Sequence, residues 1–535
     1  MEFWSIKPHS RLPAQQQFLN STGAATELFQ EFEKKYMMRT HAVFALAALF
    51  IISMMMSSTE GRVLTRTRHI GSLNHKLYNK DRNLVMGNKK SMLSVDQWMT
   101  QKLDHYDPTN AETFEQRFWV NETMWNKAAN GPVFIIIGGE GPASQGYING
   151  HFIANQYATR YGALVAALEH RFYGESVPRK SLSTANLKYL TSEQALYDLV
   201  DFRAFLIKKY NIDESRTKFV CFGGSYSGNL SAWLKMKYPH LFVGAIASSG
   251  PVLAQLEFKE YMMVVANSIG PKCTDRVRKA NDMIEQLLQT PAGQQQVASM
   301  FGICNTNALT NADDIALLFS SLSDGVCEVV QYNLDNNGNQ GFNITSMCAI
   351  IEEGSDVLQS FANWVSTWNK YTQNSCTENL YSDYIKQLQD ERPWPANQNA
   401  AGRSWTWQTC IEFGYYQNAV GPKQPFSPKI TLDWYLKQCS QIFGINGLTP
   451  DISYTNNMYG AKNIDTTNTV FSTGSVDPWS FLAMSQPNTY VPQSNVFHMQ
   501  GTAHCADLYA SSPKDLPDLT NTRVQTQKLM DQWLA

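Results

Sequence analysis

Ser225 stands at the corner between an apolar run, Phe219-Val-Cys-Phe222, and a helical pattern that begins at Tyr226. Gly223 and Gly224 precede it and Gly228 follows. Small neighbours permit the strained turn that lifts a serine hydroxyl above a sheet edge, where it can attack a carbonyl carbon. The pattern has one irregularity: Ser227, rather than glycine, lies two places after Ser225. A serine is a weak nucleophile at its free pKa, so this chemistry needs a base and an acid that orients the base.

Both are present downstream. Asp477 follows the short apolar run after Asn468, in Gly474-Ser-Val-Asp-Pro-Trp479, and His504 lies in Gly501-Thr-Ala-His-Cys505, just past Val496-Phe-His-Met499. The order Ser, Asp, His is that of α/β-hydrolases, not of chymotrypsin or subtilisin. Each residue sits past the end of a buried run, where open α/β sheets place their sites. Plainer roles compete: Asp-Pro commonly opens a turn, His498 lies inside an apolar run and is expected to pack, and Asp507 is expected to cap the next helix. The developing oxyanion also needs N–H donors. Tyr226 N–H, just after the serine, is one candidate, and Gly139 in the loop Gly138-Gly-Glu-Gly-Pro142 is the other.

The elements that must position these groups alternate in type. Gln101–Tyr106 and Phe114–Val120 read as an opening strand pair, and Pro132-Val-Phe-Ile-Ile-Ile137 as a buried strand. Ala163–Leu168 and Phe242–Ala247 read as further strands. Thr191-Ser-Glu-Gln194 reads as a capping box opening an amphipathic helix that runs to about Lys209. Strands alternating with helices predict a doubly wound, mostly parallel sheet, an α/β-hydrolase fold. From about 255 to 430 the chain turns rich in Gln, Asn and Cys with helical periodicity, which predicts an inserted helical cap. The expected organisation is therefore a hydrolase domain in two parts, 95–254 and 431–535, around a cap at 255–430.

The chain of 535 residues is 43% hydrophobic and carries 44 Lys+Arg against 46 Asp+Glu, a net charge of -2. That balance gives no reason to expect nucleic acid or acidic lipid as a partner. No zinc-type Cys/His spacing and no Gly-rich phosphate loop is present, so no metal or cofactor is expected. Residues 42–56 form the single long apolar run, preceded by Lys34, Lys35 and Arg39 and followed by small residues. Residues 37–61 thus read as a cleaved secretory signal, with a signal anchor as the alternative; residues 1–36 read as an extension and 62–94 as a flexible or pro-segment. Cleavage would leave no stable membrane association. Nine cysteines fit a secretory route, with disulfides expected in the 273–410 region. The odd count implies one free thiol: Cys221 is the first candidate and Cys505 the rival. Asn121, Asn229 and Asn343 open glycosylation sequons. Asn229, at the start of the serine's helix, would crowd the site if glycosylated.

The strings Leu103-Asp-His-Tyr106, Gly138-Gly-Glu-Gly-Pro142, Glu169-His-Arg-Phe-Tyr-Gly-Glu-Ser176, Tyr189–Leu196, Gly223-Gly-Ser-Tyr226, Gln408-Thr-Cys410, Glu412–Tyr416, Asp477-Pro-Trp479 and His504 occur in order. In these the chain resembles the prolylcarboxypeptidase and dipeptidyl peptidase II family of serine exopeptidases, over roughly residues 95 to 530. Ala503-His-Cys-Ala-Asp-Leu508 looks closest to its thymus-specific branch and invertebrate relatives. The resemblance implies an α/β-hydrolase with a disulfide-bearing helical cap, often dimeric. It implies Ser225, Asp477 and His504 as the triad, a peptide as substrate, cleavage after proline, no cofactor, and a secreted or lysosomal location.

A serine esterase or lipase would use the same triad, and a silent hydrolase-fold binding protein is the third reading. The polar, cysteine-rich insertion argues against the esterase. Retention of all three residues argues against the silent protein. An exopeptidase must also meet a chain end: Glu140 or Glu412 could receive a free amine and Arg171 a carboxylate, each with a structural ion-pair role as the plainer reading.

Overall fold

Runs of aliphatic and β-branched residues bounded by Gly, Pro and Asn become the centre of one eight-stranded sheet. The computed structural model describes residues 95–150, 152–333, 342–422 and 424–535. The expected extension, signal and pro-segment (1–94) lie outside these. The strands are β1 (Gln97–Lys102), β2 (Thr113–Asn121), β3 (Val133–Ile137), β4 (Leu164–Leu168), β5 (Phe219–Gly224), β6 (Gly244–Ser248), β9 (Thr469–Gly474) and β10 (Val496–Met499). Their spatial order is β1-β2-β4-β3-β5-β6-β9-β10. β1 and β2 pair antiparallel at one edge, and the remaining six run parallel. A short pair, β7 (Gln255–Glu257) and β8 (Gly414–Tyr416), stands apart from this sheet.

Alternation in the strands splits the core in two. Val133, Ile135 and Ile137 of β3 face one apolar cluster, whereas Phe134 and Ile136 face the other. Burial on both faces explains why this strand reads as an unbroken apolar run. The helices that cover it are α1 (Ile153–Tyr161), α2 (Thr184–Leu187), α3 (Ser192–Tyr210) and α4 (Tyr226–Lys237). Between β6 and β9 come α5 (Glu260–Leu287), α6 (Pro291–Phe301), α7 (Ala312–Gln331), α8 (Ile344–Ile351), α9 (Val357–Thr372), α10 (Tyr381–Gln389), α11 (Ala400–Gln408), α12 (Leu432–Phe443) and α13 (Ile452–Tyr459). α14 (Pro517–Leu534) closes the chain and packs Met530 and Trp533 on the second face.

Three local expectations need correction. β1 begins and ends about four residues early because Asp104 accepts from Tyr106 N at 3.0 Å, turning residues 103–106 out of the strand. The Thr191 box is half built. Thr191 takes the Gln194 N–H, but the Gln194 side chain accepts from His105 N and donates to Asp104 instead of returning to the cap. The cysteines form three bridges, Cys273–Cys348, Cys304–Cys376 and Cys410–Cys439, and leave Cys221, Cys327 and Cys505 buried outside them. An odd count fits three thiols as well as one. The bridges span 75, 72 and 29 residues, so loop closure gives the two long ones on the order of 4 kcal/mol each.

Candidate active site

The parallel register carries the candidate groups to one edge. Gly224 is level with Ser248, Ser248 with Ser472, and Gly474 with Met499. Ser225 leaves β5 at once, Asp477 follows the end of β9, and His504 follows β10. The loops are laced together: Ser225 N donates to Ser248 O at 2.9 Å, Val476 N to Thr502 O at 3.0 Å, and Cys505 N to Ser249 Oγ at 2.9 Å.

At the corner Ser225 has φ 59 and ψ -132, a conformation a serine holds only under constraint from its surroundings. Two glycines make room. A Cβ on Gly223 would meet Ser227 O at 1.8 Å, and one on Gly228 would meet Ser248 O at 2.7 Å. Ser227 is resolved as a brace. Its Oγ donates to Gly224 O at 2.8 Å and accepts from Gly224 N at 3.0 Å, closing the turn with its own side chain.

His504 Nδ1 and Asp477 Oδ1 are 2.8 Å apart, and both side chains are wholly buried. Asp477 also accepts from Trp479 N at 2.9 Å and from Thr473 Oγ1 at 3.2 Å, so it opens a turn and fixes the imidazole together. Burial of the ring opposes protonation, but the Asp477 carboxylate prevails and holds His504 well above the ordinary histidine range. The Nε2 atom makes no hydrogen bond to any described residue. The geometry therefore offers an oriented imidazole with one nitrogen spare.

Tyr226 and Gly139 carry the backbone N–H groups expected to receive an oxyanion. Tyr226 is the first residue of α4, so its N–H has no acceptor within the helix. Gly138 N is spent on Leu168 O at 2.9 Å, whereas Gly139 N donates to no described residue. A relay missed at the sequence level steadies Tyr226. Tyr173 OH donates to Gln408 Oε1 at 2.6 Å, and Gln408 Nε2 donates to Tyr226 OH at 2.8 Å. Tyr226 OH in turn reaches His170 Nε2 at 3.0 Å, and His170 Nδ1 lies 2.7 Å from Arg171 O. Burial pushes His170 down to about 4, so it is a neutral acceptor in this chain. Tyr173, His170 and Gln408 all lie in the ordered strings, which was the signal available for them.

Other candidates resolve differently. His498 is exposed, since β10 is an edge strand with one face open, so it does not pack as expected. Asp507 caps no helix. Its carboxylate accepts from Ser248 Oγ at 2.5 Å and Ser472 Oγ at 2.6 Å, pinning β6 to β9 beneath the site. Arg171 is consumed by Asp198 and by the carbonyls of Leu103, Tyr189 and Lys102. Glu412 accepts from the N–H and hydroxyl of Ser192. Asn229 is fully buried with Nδ2 on Pro251 O at 3.2 Å, packing that leaves no path for a glycan. Asn121 is half-buried with Nδ2 on Ile148 O at 2.8 Å, and half-buried Asn343 caps α8.

The comparisons with known proteins agree with this frame. Residues 101–526 match the family model described as serine carboxypeptidase S28. The human thymus-specific serine protease is 32% identical over 477 residues, covering 84% of this chain and 89% of its own. The bovine lysosomal Pro-X carboxypeptidase is 30% identical over 458 residues, covering 82% of this chain and 87% of its own. With an α/β-hydrolase sheet and a family match across most of its length, the chain belongs to the S28 serine peptidases.

Proposed function

We propose that Ser225 is the nucleophile, His504 its general base and Asp477 the group that orients the base. His504 Nε2 takes the Ser225 proton as Oγ attacks the scissile carbonyl, and the Asp477 carboxylate stabilises the imidazolium that forms. The N–H groups of Tyr226 and Gly139 receive the oxyanion. His504 then protonates the leaving amine, and water attacks the acyl-enzyme by the reverse of these steps.

The observation that carries this reading is the buried 2.8 Å contact between His504 Nδ1 and Asp477, which leaves Nε2 as the working nitrogen. The substrate is a peptide cut near its end, with proline preferred before the scissile bond. The name of the bovine relative, a Pro-X carboxypeptidase, supports that preference. Three disulfides support an oxidising compartment, and the same relative supports a lysosomal or secreted one. Residues 37–61 would serve as the signal, and Asn121 and Asn343 as glycan acceptors. Mass spectrometry of a peptide library digested by the purified protein tests the reading. Release of residues from one end, enriched where proline precedes the cut, is expected. Internal cuts without proline would overturn it.

A further inference from the structure

His504 Nε2 makes no hydrogen bond to any described residue, so no bond between base and nucleophile sets the distance a proton must cross. The backbone has to set it. Ser225 leaves β5 and His504 leaves β10, and β6 and β9 lie between those strands in the sheet. The residues at the end of β6 bond to both loops.

Ser248, the last residue of β6, accepts from Ser225 N through its carbonyl at 2.9 Å. The same carbonyl oxygen lies 3.8 Å from the thiol of Cys505, the residue after His504. The Ser248 hydroxyl donates to Asp507 Oδ1 at 2.5 Å, farther along the loop of the base. Ser249 completes the bracket, its Oγ accepting from Cys505 N at 2.9 Å. Asp507 is buried, and its other oxygen accepts from Ser472 Oγ at 2.6 Å.

Backbone strain marks the same junction. Ser225 has φ 59, Ser249 φ 46 and Cys505 φ 56, so three non-glycine residues hold left-handed values where the loops meet. Such conformations persist only where the surroundings over-determine them, and they gather at working sites. The bonds through Ser248 and Ser249 supply that constraint.

We propose that Ser248 and Asp507 are positioning residues that together set the spacing between Ser225 Oγ and His504 Nε2. This rests on the Ser225 reading and names what keeps the base within reach of the nucleophile. The Ser248 carbonyl fixes the corner that carries Ser225, and its hydroxyl fixes the loop that carries His504 through Asp507. A shift of one loop is thereby passed to the other instead of widening the gap between them. Ser472 makes a bond of the same kind to the same carboxylate, but it lies on β9 and has no bond to Ser225 among the described residues. His504 is already tied to the loop after β9 directly, through Asp477.

The test compares Ser248→Ala with Ser472→Ala. Each removes one buried hydroxyl from Asp507, so the two should lower the melting temperature alike. Ser248→Ala keeps the carbonyl that holds Ser225 but frees the loop of the base. It should lose roughly ten- to a hundredfold in kcat with KM changed less than about threefold, because misplacing a reacting group costs rate rather than binding. Its labelling by a fluorophosphonate should slow to match. Ser472→Ala should lose less than about threefold in kcat. Adding Ser248→Ala to Asp507→Ala should lower kcat no further, since the link is already broken. Equal losses of kcat in Ser248→Ala and Ser472→Ala would overturn the proposal, because the carboxylate would then serve only to pack the sheet. Wild-type kcat in Ser248→Ala would overturn it too. Peptide mapping of the adduct on wild type reports separately on the nucleophile, so failure of the Ser225 reading is distinguishable.

Discussion

The backbone carbonyl of Gln331 accepts a hydrogen bond from the N–H of His504 at 3.0 Å. Gln331 ends α7, in the helical stretch inserted between β6 and β9, so the insertion holds the loop of the candidate base. Its side chain extends the hold: Oε1 accepts from Trp479 Nε1 at 3.0 Å and from Tyr261 OH at 2.9 Å. Trp479 lies two residues beyond Asp477, and its ring centroid is 6.3 Å from that of His504.

Replacing Gln331 by Leu keeps the carbonyl but strands two buried donors, at about 1–3 kcal/mol each. The variant should lose roughly ten- to a hundredfold in kcat with a smaller change in KM, since a slight misplacement of a reacting group is costly. Steady-state kinetics beside a thermal melt checks this. Wild-type kcat in a destabilised protein would reduce Gln331 to a packing role.

Asp477→Asn should leave the fold intact and lower kcat by about 10⁴, the cost of the wrong imidazole tautomer. Without the carboxylate that raises His504, the acid limb of the kcat/KM profile should also move to lower pH. A profile unchanged from wild type would assign that limb to another group.

The elbow gives paired expectations. Ser227→Ala removes both bonds to Gly224 and should cost about 1–3 kcal/mol of stability. Gly223→Ala must force a Cβ against Ser227 O and should yield little soluble, active protein. Yield and urea midpoints of the two variants measure the difference. Normal expression of Gly223→Ala would show that the corner relaxes.

Glu378 and Glu412, like Glu140, are lifted by burial to about 7. In the unfolded chain such acids titrate near about 4.3, so between these values the folded protein holds protons the unfolded one has released. Stability should therefore fall as pH rises through that window and level off above it. The elevated His504 acts in the same sense. His170, lowered to about 4, opposes it below about 6.5. A melting temperature several degrees higher near pH 5 than near pH 8 is expected. A rise towards alkaline pH would contradict it, and Glu378→Gln should flatten the slope.

Ser225, Asp477 and His504 were legible as candidates because each lies just past a strand whose apolar run is plain in the sequence. The parallel sheet then does the gathering. Gln331 was not legible, because a backbone carbonyl has no side-chain signature and its helix is remote in sequence from the loop it holds. The thiols show a limit of another kind. Parity allows one unpaired cysteine or three, and only the fold takes Cys327 out of the bridges while joining Cys410 to Cys439. Glu140, Glu412 and Arg171 were equal candidates as sequence. Partners remove Arg171 and Glu412, since a charge already satisfied inside the protein has nothing left for a substrate.

Ser225 is the group proposed to perform the attack. Peptide mapping by mass spectrometry after labelling with a fluorophosphonate tests it most directly. A single adduct on Ser225 is predicted, absent from a folded Ser225→Ala protein that has lost about 10⁶ in kcat. An adduct on another serine, or a Ser225→Ala protein that still cleaves peptides at the wild-type rate, would contradict it.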